Sequence, residues 1–127
     1  MPYISAKDDR REKLRNGEPA LTAGELNYQI FYYVKHSHYG NWKSIKQYRD
    51  ILANVNEHIK VFVNQFLGEK PNYQKYNDLT GCLVRCAKEI KRRLYYNADF
   101  LYQLCDNYDN EIAKYEDTKI KQNGDVE

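Results

Sequence analysis

The sequence predicts an all-α protein: a small helical bundle with two long antiparallel helices and a short N-terminal helical arm. Three observations carry this. The 127 residues hold only 6 Gly and 3 Pro, which argues against an all-β domain with many tight turns. Apolar residues recur at three- and four-residue spacing along most of the chain. Hydrophobic residues make up 42% and charged residues 30%, too apolar for a disordered chain. The length fits one domain over 1–127, able to bury a core without a disulfide or a metal. Residues 1–21 read as arm and linker, and 118–127 as a C-terminal tail.

The elements follow in order. Ser5 and Asp8 cap a short helix over about 6–15, ended by Asn16-Gly17, with Leu14 as its one apolar anchor. Such a charged segment is a mobile or partner-docked arm. Thr22-Ala-Gly-Glu25 is a capping box, in which the Thr hydroxyl accepts from the third helical N–H and the Glu reaches back. It opens a helix over about 23–38 with Leu26, Ile30, Tyr33 and Val34 as its stripe and Phe31 beside it. Gly40 supplies the stop by taking positive φ. Ile45, Tyr48, Leu52, Val55, Ile59, Phe62 and Phe66 then repeat 3-4-3-4-3-4 over a helix at about 42–67. Val61 and Val63 widen this face, which suits a bundle better than a two-stranded zipper. Gly68 and Pro71 end it. The last helical stretch opens at Asn77 or Asp78, with Leu79, Leu83, Cys86, Ile90 and Leu94 in line and Gly81 leaving room for a close backbone approach. Ala98, Leu101, Cys105, Tyr108, Ile112 and Tyr115 continue the stripe. Either one bent helix runs over 77–117, or it breaks near Asn97-Ala98-Asp99 or within 106–110, where Asn and Asp compete with the helix backbone. The short linker between the long helices makes them antiparallel.

Several function classes are set aside. A net charge of +2 predicts no strong nucleic-acid affinity. No apolar run approaches the roughly 20 residues of a membrane span, and the first residues hold no secretory h-region. Cys82, Cys86 and Cys105 read as reduced thiols, buried as small hydrophobes. His36 and His38 fall on different sides of a helix and His58 stands alone, so no metal site is expected. No Cys–His or Ser–His motif, Gly-rich phosphate loop or ExxE carboxylate pair is present, and no cofactor is implied. The expectation is a protein that is not an enzyme.

The near-zero charge hides a polarity. Residues 70–98 hold seven basic and two acidic side chains, and 99–127 hold three basic and eight acidic. The basic stretch centres on Arg85, Lys88, Lys91, Arg92 and Arg93. Three readings stand: a solvated face, a partner for the acidic tail within or between chains, or an anion site. The 13 Tyr and 12 Asn also have two readings, an AT-rich coding bias or tyrosines lining a pocket or interface.

A set of local patterns points further. They are Met1-Pro2-Tyr3-Ile4, Gly24-Glu25-Leu26-Asn27-Tyr28, Gly81-Cys82-Leu83 with Glu89 and Arg92-Arg93, and Tyr115-Glu116-Asp117-Thr118-Lys119-Ile120 leading to Asn123-Gly124-Asp125-Val126. In this order they resemble a family of small helical proteins of unknown function from bacteriophages and prophage-bearing bacteria, over about half of the chain. The chain departs from the family at Glu127, where an aromatic residue is usual, and in about twenty extra residues over Leu94–Lys114. The resemblance implies a viral setting and the host bacterial cytoplasm, and carries over no catalytic residue.

Two functions follow as expectations. One is a phage accessory protein that binds without catalysis, holding a nucleotide-like anion or blocking a host defence factor. Its phosphates would meet Arg85, Lys88, Arg92 or Arg93, and its base Tyr28, Tyr32 or Tyr95. The alternative is a structural module acting through helical homo-oligomerisation. Nucleic acid is the weakest partner, and a membrane none.

Overall fold

The computed structural model describes residues 9–124. Over them the chain is helical without strands: α1 (Asp9–Arg15), α2 (Ala23–His36), α3 (Ile45–Leu67), α4 (Tyr73–Leu94) and α5 (Asp99–Asn123). The expected Ser5 or Asp8 cap, the Met1–Ile4 pattern and the last residues 125–127 lie outside the described residues. No described helix is long and apolar enough to cross a membrane.

Each helix start has a local cause. Thr22 Oγ1 accepts from the Glu25 N–H at 3.1 Å, as the capping box requires. The return arm differs, because Glu25 accepts from the Leu21 N–H at 2.9 Å. α3 opens three residues later than expected. Ser44 accepts from the Gln47 N–H (3.1 Å), and Gln47 accepts from the Lys43 N–H (2.6 Å), the same displaced form of the capping box. α4 opens earlier, where Asn72 accepts from the Lys75 N–H at 2.9 Å. Gly81 therefore lies well inside α4, and a Cβ there would meet nothing within 4 Å, so no close approach demands it.

The stops divide the same way. Gly68 takes φ 72° and donates to the Asn64 carbonyl, ending α3. α2 ends instead at Ser37, whose N–H and hydroxyl both turn back on the last turn. Gly40 does not take positive φ. Its need is space, since a Cβ would sit 2.1 Å from the Tyr96 ring. The long C-terminal stretch breaks at 95–98, and α5 then continues to Asn123, into the expected tail.

α4 is the central helix, packed on α2, α5 and, over a smaller contact, α3. α2 also packs on α1 and α3. Leu26, Ile30, Val34, Val55, Ile59, Val63, Leu79, Leu83, Cys86 and Ile90 fill the space between them. The 3-4 stripe of α3 is buried only in its second half. Ile45 is 65% exposed, and Val61 also faces solvent. Past the break the expected stripe holds: Ala98, Leu101 and Tyr108 are buried with Phe100 and Leu104, and Cys105, Ile112 and Tyr115 edge the core. Tyrosine hydroxyls tie the elements together through asparagines. Tyr39 donates to the Asn97 carbonyl, Tyr108 donates to Asn64 at 2.9 Å, and Asn54 donates to Tyr33 at 3.3 Å.

Candidate functional site

The arm is where the site begins. α1 has one buried side chain, Leu14, seated against α2. Arg10 locks this position by donating to Glu18 (2.7 Å), to the Pro19 carbonyl (2.8 Å) and to Glu25 (2.8 Å). This guanidinium, first of all, holds the Glu25 carboxyl below its ordinary range, with the Leu21 N–H adding to it. From inside, buried Gln29 donates its amide to the Leu14 and Glu18 carbonyls, both at 2.9 Å. Those carbonyls lie at and beyond the end of α1; the Leu14 one also accepts from the Gly17 N–H at 3.1 Å.

Docking sets Arg11 and Arg15 against an aromatic row on α2. Tyr28, Tyr32 and His36 stand at i, i+4, i+8, with ring centroids 6.0 and 4.2 Å apart in turn. Arg11 lies 5.3 Å from the Tyr28 centroid and Arg15 5.1 Å from that of Tyr32. Arg15 Nε also donates to the Tyr28 hydroxyl at 2.8 Å, and this bond, before any other cause, holds the guanidinium more firmly charged. From the opposite wall the end of α4 contributes Arg92 and Arg93, and Arg93 lies 4.5 Å over the Phe31 ring.

Between these walls is a groove of about 580 Å³. Its basic side chains, Arg11, Arg15, Lys35, Arg92 and Arg93, come from three helices. Two buried polar side chains, Asn27 (3% exposed) and Glu89 (6%), also line it. Asn27 Nδ2 has no hydrogen-bond partner. Among the described residues Glu89 has no ion pair either. Burying a polar group without a partner is costly, so the Asn27 amide stands out, with the Glu89 carboxyl lining the same groove.

A second groove of about 650 Å³ adjoins the first, lined by Asn77, Asp78, Gly81, Arg85 and Lys88 among others. Glu89 and Arg92 border both. The residues expected from the sequence are thus divided. Tyr28, Tyr32, Arg92 and Arg93 come together in the first groove, and Arg85 and Lys88 lie in the second with Arg92. Tyr95 lies in neither. It is 90% exposed and caps α4 in the left-handed conformation, φ 61°. Arg11, Arg15, Lys35, Asn27 and Glu89 were not legible as site residues. The available signal was polarity out of place, since Asn27 shares a face with Ile30 and Phe31, and Glu89 with Cys86, all of which face the core.

The remaining chemistry is spare. Among the described residues no three His, Cys, Asp or Glu side chains group as metal ligands. Burial pushes the Cys82 thiol up to about 12 and Cys86 well above its ordinary value, so both are neutral thiols. No ion pair joins the basic end of α4 to the acids of α5 among the described residues. No protein-family model, curated protein or solved structure matches the chain.

Proposed function

We propose that this chain is a non-catalytic binding protein that captures an anionic, nucleotide-like small molecule in the groove between α1, α2 and the end of α4. One observation supports it best: five cationic side chains from three helices surround two tyrosine rings and a buried amide donor without a partner. A solvated basic face would spread its charges over one helix. Here the fold carries Arg11 and Arg15 to within one groove of Arg92 and Arg93, against their mutual repulsion. A polyphosphate would relieve that repulsion through charge-assisted Arg bonds while a base stacks on Tyr28 or Tyr32. Arg85 and Lys88, in the adjoining groove, extend the same field.

The biological setting in this reading is a phage accessory protein in the host bacterial cytoplasm, holding a small molecule or blocking a host factor. It rests on the resemblance of the chain's motifs. No catalytic step, metal, cofactor, membrane or nucleic acid enters it. The reading also keeps the long helices antiparallel, since five residues, 68–72, separate α3 from α4.

Calorimetry with ATP, GTP, cyclic AMP and a cyclic dinucleotide tests it. At least one should bind in the micromolar range, and Arg15→Ala or Arg92→Ala should each weaken it about tenfold. Binding weaker than about 1 mM for all of them overturns the reading. A second reading, homo-oligomerisation, draws on Trp42 (47% exposed) and Ile45 at the start of α3. Light scattering tests it, and a clean monomer at tens of micromolar removes it.

A further inference from the structure

The cationic groove carries one more piece of information, in the two buried polar groups that its positive charges leave unused. Asn27 Nδ2 is a donor without an acceptor. Glu89 is a carboxylate without an ion pair among the described residues, although Arg85, Lys88, Arg92 and Arg93 stand within a turn of it on α4. If Glu89 served to balance those cations, an ion pair with one of them would be the natural outcome. Its side chain instead lines the groove from the α4 wall, opposite Asn27 on α2. The two helices pack directly on one another, so donor and carboxylate belong to one concave surface.

We infer that Asn27 and Glu89 read the edge of a guanine base, so that the groove selects guanine nucleotides over adenine ones. This rests on the anion-binding reading of the same groove. Guanine presents one acceptor, O6, beside two donors, N1–H and N2–H. A single amide donor beside a two-oxygen acceptor is the complementary set: Asn27 Nδ2 donates to O6, and the Glu89 carboxylate accepts from N1–H and N2–H in parallel. Adenine presents a lone pair at N1 where guanine has a proton, which sets an acceptor against the carboxylate. Tyr28 follows Asn27 in sequence and supplies a ring for the base to lie on, with the arginines left for the phosphates. A site built around buried polar groups rejects ligands that leave them unpaired more strongly than an apolar pocket does.

The experiment is calorimetric titration of the full chain with GTP, ITP, ATP and inorganic tripolyphosphate, repeated on Glu89→Gln. The expected order is GTP, then ITP, which lacks the N2 amine, then ATP, with GTP at least about tenfold tighter than ATP. Glu89→Gln should reduce GTP affinity by about tenfold and leave ATP and tripolyphosphate within about threefold. The wild-type series stands by itself if the variant does not fold, which its melting curve reports. Equal binding of GTP, ITP and ATP overturns the guanine inference and leaves the anion site intact. So does tripolyphosphate binding as tightly as GTP. If none of the four binds, both the inference and the function it rests on fall.

Discussion

Replacing Leu14 with alanine should undock the arm without unfolding the bundle. Leu14 is fully buried and is the only buried side chain of α1, a helix of seven residues too short to persist alone. Burying a leucine contributes about 1.5–3 kcal/mol. Hydrogen bonds to charged groups, such as those of Arg10 with Glu18 and Glu25, contribute about 1.5–3 kcal/mol. Both favour docking, and a buried Leu→Ala change removes about 2–5 kcal/mol. At about 1.4 kcal/mol per factor of ten, a loss of 2 kcal/mol already raises the open population about thirtyfold. Native-state hydrogen exchange reads this directly. Arm amides such as that of Asn16, bonded to the Glu12 carbonyl at 3.0 Å, should lose at least that much protection. Amides of α3, α4 and α5 should keep theirs, because α1 packs mainly on α2. Protection of the arm within about threefold of wild type would refute the reasoning. So would loss of protection throughout the chain by one common factor.

Further outcomes follow from the same contacts. The Glu25 carboxyl is held below its ordinary value, so its contribution is complete above that value and disappears as the pH falls through the lowered one; the arm should loosen below about pH 4, seen as exchange confined to residues 9–18. Cys82 and Tyr108, both pushed up to about 12 by burial, act in the opposite direction. Their neutral forms stabilise the fold below their ordinary values, and that stability should decline from about pH 9 toward pH 12 in melting curves; at pH 8 native Cys82 should resist iodoacetamide. Tyr95→Gly should raise stability by about 1 kcal/mol in denaturant titrations, because a left-handed cap favours glycine and the exposed ring contributes no burial, while groove affinity stays unchanged.

The helices were legible because their signals are local. Apolar spacing marked α2, α3 and α4, and Thr22-Glu25 fixed one start to the residue. The Ser44-Gln47 pair is equally local, and it, rather than the apolar repeat, sets the start of α3 three residues after the repeat alone suggests. α5 shows where local reading stops. Its stripe of Leu101, Cys105, Tyr108, Ile112 and Tyr115 is readable from spacing, whereas the choice between one bent helix and a break at 95–98 is not. The groove lay further still beyond local reading. Arg92, Arg93, Tyr28 and Tyr32 were singled out from charge and ring chemistry, but that they meet depends on α2 packing on α4. Arg11 and Arg15 belong to a charged segment that reads as a mobile or partner-docked arm, and only tertiary docking of Leu14 and Arg10 carries them to the tyrosines.

That docking has a thermodynamic consequence for the arm. Two of the five cations in the groove are on α1, so a molecule held by all five binds only chains whose arm is down. Mass action then makes occupancy and arm closure a single equilibrium. Ligand at about a hundred times its Kd adds about 2.7 kcal/mol to closure, comparable to what Leu14 itself supplies. Arg10, Arg11, Lys13 and Arg15 make the same seven residues a dense run of tryptic sites. If the groove holds such a molecule, the survival of this segment in a protease digest gauges its occupancy.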